Sequence, residues 1–195
     1  RWLDAGKTVG LVGGDHSTPY GLIRALGARH AAFGILHVDA HCDLRDAYEG
    51  FEFSHASIMF NVLRDVPQVT KIAQVAVRDF SESEAALAAS SGRVATFDDL
   101  SLAAALFRGE TWDAQCRRIV DALPQEVYVS FDIDALTFEN CPHTGTPVSG
   151  GLTFNQAVWL LDTLTRSGRR IIGFDVVEVV PRPGSSIDAS TGARI

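Results

Sequence analysis

Residues 32–43 read AFGILHVDAHCD. An apolar run ends abruptly in Asp39, His41 and Asp43, three polar residues at alternate positions. Apolar residues fill successive positions of the first half, as in a strand covered on both faces by helices. Along an extended chain, positions 39, 41 and 43 project to one side. Two carboxylates brought together there repel each other unless a cation lies between them.

Working outward, further apolar runs at 8–12, 71–77, 94–97, 126–133 and 171–179 read as strands alongside 32–38. Helical patterns lie between them at 18–29, 54–66, 81–90, 99–107, 111–123 and 153–168. Ser54, Ser81, Asp99, Thr111 and Thr153 stand where helix N-caps belong. Strand–helix alternation at this spacing predicts an α/β fold, a mostly parallel sheet with helices on both faces. The longest irregular stretches, 39–53 and 134–152, each follow a strand directly. Ligands in open α/β sheets bind at the carboxyl ends of strands, so these two loops are where chemistry is expected.

The totals exclude several classes of function. A chain of 195 residues suits one domain, taken here as 1–195. The net charge is −7 and no lysine–arginine cluster occurs, which argues against nucleic acid or an anionic membrane as partner. No apolar stretch reaches the roughly 18–20 residues of a membrane span. Three cysteines, Cys42, Cys116 and Cys141, form no CxxC pair, and a reducing cytoplasmic setting is expected. The chain opens RWLDAGKTVGLVGG without methionine and ends STGARI at a helix start, so both ends read as cuts from a longer protein.

Other strand ends carry similar groups. His16 follows the first strand in GGDHS, where two glycines allow a tight turn. Asp132 and Asp134 close the run VYVSF, and Asp175 and Glu178 lie in the last strand motif. Alone, GGDHS reads as a glycine turn with a capping aspartate, and D-x-D is common in loops. The two alternating motifs and His16 together supply four carboxylates and two imidazoles, more than one tetrahedral zinc takes and without a thiolate. Two divalent ions sharing carboxylates fit this set. Hard oxygen donors favour manganese, and nickel, cobalt and iron suit the same groups. Two ions about 3.5–4 Å apart lower the pKa of water enough for attack near neutral pH. Glu178 adds further negative charge, as a cationic substrate requires.

These residues are similar to a known family. GGDHS (13–17), DAHCD (39–43), SFDID (130–134) and DVVEVVP (175–181) resemble, in order and spacing, the signatures of the ureohydrolases: arginase, agmatinase and formiminoglutamase. HTGTPVSGG (143–151) resembles the family loop after the third of these. The resemblance runs from about residue 8 to 181. It implies an arginase-like three-layer α/β/α fold truncated at both ends, a dinuclear manganese hydrolase, and assembly into trimers or hexamers. It implies that His16, Asp39, Asp43 and Asp132 hold the first ion, and His41, Asp39, Asp132 and Asp134 the second. By the same resemblance Asp43 orients the water, His55 carries a proton to the leaving amine, and Glu178 clamps the guanidinium. Thr137 and Phe138 depart from the family's Asp-Pro, Ser149 from its proline and Val180 from its asparagine.

The expected reaction is therefore hydrolysis of a guanidino C–N bond to urea and an amine. The segment LRDAYEGFEFS (44–54) offers Asp46, Glu49 and Glu52 but no asparagine. An acidic loop repels the α-carboxylate of arginine and favours agmatine, which gives putrescine. Guanidinobutyrate and arginine hydrolysis are alternatives. Arg45 points to another, a formiminoglutamase in which it holds a substrate carboxylate, although a salt bridge to Asp46 or Glu49 explains it equally. Glu178 argues against a deacetylase-like amidase, and the complete ligand set argues against an inactive metal-binding relative.

Overall fold

The apolar runs form six strands that pair, all parallel, in the order β1-β6-β5-β2-β3-β4. The computed structural model describes residues 1–195. Its strands are β1 Val9–Val12, β2 Phe33–Val38, β3 Val69–Val75, β4 Val94–Phe97, β5 Glu126–Asp132 and β6 Arg170–Val177. Its helices are α1 Tyr20–Gly27, α2 Ile58–Asp65, α3 Glu82–Ser90, α4 Asp99–Phe107, α5 Trp112–Asp121, α6 Phe154–Arg166 and α7 Ile187–Gly192.

Two apolar layers sandwich the sheet. Ile23 and Leu26 of α1, Met59 and Val62 of α2 and Ala88 of α3 pack on one face against Phe33, Ile35 and Ile72. Leu102 of α4, Cys116 and Ile119 of α5 and Leu160 of α6 pack on the other against Leu36, Val38 and Val129. Successive residues of β2 thus feed opposite layers, which is why all six are buried. Burying each such leucine or isoleucine contributes about 1.5–3 kcal/mol. No helix is long and apolar enough to cross a membrane.

Most expected caps are present. The side chains of Ser81, Thr111 and Thr153 accept the N–H groups of Glu84, Ala114 and Gln156. Ser54 closes a capping box with Ser57, one turn before α2. Asp99 is corrected: Asp98 takes the extended backbone and accepts Ser101 N–H, while Asp99 is the first helical residue. Either carboxylate suits the positive end of a helix, and the backbone conformation selects between neighbours.

The strand order has one functional consequence. The four strands that carry the polar motifs, β1, β6, β5 and β2, are immediate neighbours. Parallel pairing puts all their carboxyl ends along one edge, and β3 adds Arg78 and Asp79 at its rim.

Candidate metal centre

At that edge the side chains converge on two overlapping clusters. His16 Nδ1 lies 2.9 Å from Asp39 Oδ2, 3.1 Å from Asp43 Oδ2 and 3.3 Å from Asp132 Oδ2. His41 Nδ1 lies 3.1 Å from Asp134 Oδ2 and 3.4 Å from Asp39 Oδ1. Asp39 therefore turns one oxygen to each imidazole. All six expected ligand residues meet here, and all except His41 are buried.

The convergence is local bending rather than strand alternation. The sheet ladder of β2 stops at Val38, and the next turn closes when Asp39 Oδ1 accepts His41 N–H at 2.6 Å. Asp43 then adopts φ +54°, a left-handed backbone. Its carbonyl accepts the N–H groups of Met59 and Phe60 at the start of α2, which holds the turn in place. After β5, Asp132 Oδ1 accepts Asp134 N–H at 2.8 Å and opens a 3-10 turn over Ile133–Ala135. Aspartate at such turns bonds its own backbone two residues on, so these residues bend the chain and also furnish the donors.

The donor set suits divalent cations. His16 Nδ1 and Asp43 Oδ2 are both buried without a hydrogen-bond partner, although they face each other across 3.1 Å. Each unpaired buried polar group costs about 1–3 kcal/mol, and a shared cation removes that cost. Two of the acids are pushed upward. Burial, then the charges of Asp134 and Asp39, raise the Asp132 carboxyl well above the carboxylate range. Burial and the Asp39 charge raise Asp43. Burial opposes a charge on His41, but hydrogen bonds to Asp134 and Asp39 outweigh it and push the ring up to about 11. Burial likewise opposes a charge on His16, and the carboxylates of Asp132, Asp39 and Asp43 facing its Nδ1 raise it well above the ordinary histidine value. The carboxylates thus favour positive charge at both imidazoles.

Glu178 sits beside this cluster, also on a left-handed backbone at φ +61°. Its N–H donates to Gly14 O and its Oε1 accepts His16 N–H at 2.7 Å, tying β6 to the first motif. Neither Gly13 nor Gly14 takes positive φ, so the expected glycine turn is a close approach instead: a Cβ on Gly13 would lie 2.4 Å from Thr18 Oγ1. Glu178 Oε2 is free of that bond and points toward Gly145, 3.7 Å from where a Cβ would stand. Thr144 fixes the Glu178 carbonyl through its hydroxyl at 3.0 Å.

His55 opens the turn before α2 and lines a cleft of about 190 Å³ with His41 and Asp43. Its ring stands edge-on to Tyr48, 5.3 Å between centroids. Tyr48 belongs to a tight hairpin closed by reciprocal backbone bonds with Phe51, with Glu49 and Gly50 at positive φ.

Several partners were not foreseen from sequence. His37 is fully buried, donates from Nε2 to Asp39 Oδ2 at 2.8 Å, and lies tilted 5.3 Å, ring to ring, from His16. Ser130 meets His16 Nε2 at 2.8 Å and donates to Asp175 Oδ1 at 3.2 Å. Arg78 donates to the carbonyls of Ala76, Asp134 and Val148, pinning the 134–152 loop that Thr137 and Phe138 leave without its usual proline. The period-two spacing of His37 with Asp39 and of Ser130 with Asp132 was the available signal.

Two acids of the 44–54 loop are engaged by neighbours, and Glu49 lines an adjoining pocket with Tyr48 and His55. Glu52 pairs with Arg64, and Asp46 caps its own neighbour Ala47. None of Asp46, Glu49 and Glu52 lines the cleft beside the metal ligands. Arg45 pairs with neither Asp46 nor Glu49 but approaches Glu84, Nε to Oε2 3.6 Å.

The sequence profile of the Arginase family matches residues 1–195. The chain is 37% identical over 182 residues to the N(1)-aminopropylagmatine ureohydrolase of Thermus thermophilus, covering 93% of this chain and 58% of that protein. It is 35% identical to the guanidinopropionase of Pseudomonas aeruginosa, covering 93% of this chain and 56% of that one. It thus spans little more than half the length of these relatives. A solved structure described as a hypothetical agmatinase from Burkholderia thailandensis superimposes with a TM-score of 0.81 at 28% identity, over 98% of this chain and 57% of that one. Profile, relatives and fold agree with the site: the chain belongs to the Arginase family.

Proposed function

We propose that the whole protein hydrolyses a guanidino compound to urea and an amine, with agmatine as its substrate. The observation that carries this reading is Glu178: a carboxylate beside a cluster already rich in carboxylates, one oxygen held by His16 N–H and the other free. Such a group favours a ligand that carries positive charge.

In this reading His16, Asp39, His41, Asp43, Asp132 and Asp134 would hold two divalent ions, with manganese as the metal. When bound, the ion pair supplies a water that ionises near neutral pH. Glu178 accepts N–H groups of the planar guanidinium and holds its carbon over the cluster. Asp43 orients the attacking water through a hydrogen bond. His55 delivers a proton to the departing nitrogen, which leaves as a neutral amine while the carbon becomes urea. Thr146, 3.4 Å from Asp134 Oδ2, keeps the facing loop in register with the site.

Relatives of nearly equal identity carry names that imply opposite tails, aminopropylagmatine with ammonium and guanidinopropionate with carboxylate. Overall identity therefore does not choose between them. Arg45 supports the ammonium, because Glu84 already engages its charge. The deciding experiment gives the manganese-loaded protein agmatine, arginine, 4-guanidinobutyrate and formiminoglutamate separately and measures urea and formamide. Urea from agmatine is expected. Formamide from formiminoglutamate, or urea from arginine alone, overturns the assignment.

A further inference from the structure

The cleft beside the metal ligands has a charged mouth. Arg45, two residues after Asp43, lines it together with Tyr48, Asp79 and Glu84. A free guanidinium in that place would attract any substrate ending in a carboxylate. Arg45 is not free: its guanidinium lies over the Tyr48 ring, 5.5 Å from the centroid, with Nε 3.6 Å from Glu84 Oε2.

Glu84 is held independently of Arg45. It is buried at 3% exposure in the first turn of α3. Its Oε1 accepts Leu44 N–H at 3.1 Å, and its Oε2 accepts the N–H and hydroxyl of Ser81, each at 2.8 Å. Three hydrogen bonds thus fix a carboxylate against the cation, and a fixed countercharge is a stronger screen than a mobile surface one. Asp79, 65% exposed on the same cleft, pairs with no lysine or arginine. The mouth is left net negative in spite of its arginine.

We propose that Glu84 determines which tail the substrate carries: by neutralising Arg45 it makes the cleft accept guanidino amines and reject guanidino acids. The inference rests on the guanidine-hydrolase reading and extends it to the far end of the substrate. Glutamine at 84 keeps an acceptor for Leu44 N–H and removes the countercharge, so Arg45 becomes available to a carboxylate. Arg45→Gln does the opposite and leaves the Glu84 charge without its cation.

The test uses the whole manganese-loaded protein and its Glu84→Gln and Arg45→Gln variants. Urea release is measured from agmatine and from 4-guanidinobutyrate, similar chains ending in ammonium and carboxylate. Glu84→Gln is expected to raise the kcat/KM ratio of acid to amine about tenfold or more, mainly through KM, as a freed charge a few ångströms from the tail implies. Arg45→Gln is expected to lower the same ratio. A purely structural role for Glu84 slows both substrates alike and leaves the ratio unchanged, which overturns the proposal while guanidine hydrolysis stands. Where Glu84→Gln does not fold, Arg45→Gln decides alone, and an unchanged ratio overturns the proposal. If the unaltered protein releases urea from neither compound, the guanidine reading falls instead. Calorimetric binding of the same two compounds then judges the mouth: preference for agmatine lost in Glu84→Gln sustains it, and preference retained overturns it.

Discussion

His16 Nε2 meets Ser130 Oγ at 2.8 Å, and that contact turns the other ring nitrogen onto three carboxylates. Ser130 is itself anchored by Asp175, whose Oδ1 also accepts Phe131 N–H. Orientation of one cluster member therefore depends on a buried chain running back into β5 and β6. Partners of this kind typically contribute 10–100-fold to metal affinity. Ser130→Ala is expected to weaken manganese binding by about that factor while leaving the fold intact. Equilibrium dialysis against manganese checks it, and unchanged affinity would remove Ser130 from the supporting chain.

Asp132 illustrates the opposite sign. Burial and its neighbours Asp134 and Asp39 push its carboxyl upward, so without metal its charge is a burden on the fold. Asp132→Asn is expected to raise the melting temperature of the metal-free protein by a few degrees, equivalent to about 1–3 kcal/mol. The same variant is expected to lose the stabilisation that manganese gives the parent. Thermal scans with and without manganese read both effects, and a metal response equal to the parent's contradicts the ligand assignment.

pH should act on the metal-free and metal-loaded proteins in opposite directions. His41 is raised from 6.5 to about 11, so the folded metal-free state binds more protons than the unfolded chain between those values. The stability this contributes is complete below pH 6.5 and is lost as pH rises through about 11. Ligation needs the neutral ring, so manganese binding must release that proton and tighten as pH rises. The manganese-induced shift in melting temperature is accordingly expected to grow from pH 6.5 to 9. A shift that shrinks over this range would contradict the protonated cluster.

Glu178 separates binding from metal retention. Glu178→Gln preserves an acceptor for His16 N–H and removes only the charge. Losing a charge-assisted contact to the guanidinium is expected to lower kcat/KM by about 10- to 100-fold with full metal content. Kinetics paired with metal analysis decide, and loss of both together would make Glu178 a structural support of the cluster.

Much of this architecture was readable because it rests on local rules. Strands such as Phe33–Val38 are apolar throughout, and the ligand motifs stand at their ends. Where the sequence misled, the cause was three-dimensional. Asp39, His41 and Asp43 do converge, but through an aspartate turn and a left-handed Asp43, not through the pleat. Glu84 belongs to a helix remote in sequence from Arg45, so no spacing pointed to it, and nearby Asp46 and Glu49 were the natural but mistaken partners. Ser130 and His37 are inward-facing positions of buried strands, where polarity is visible but its partner is not.

The place of β6 in the sheet also bears on which parts of the chain complete the site. β1 pairs with β6 alone, yet nearly the whole chain separates them in sequence. β6 lies between β1 and β5 and brings Glu178 to the His16 backbone, so residues far apart in sequence complete the first motif. A chain that stops before β6 carries all six expected ligand residues and lacks the strand that ties Glu178 to the His16 backbone.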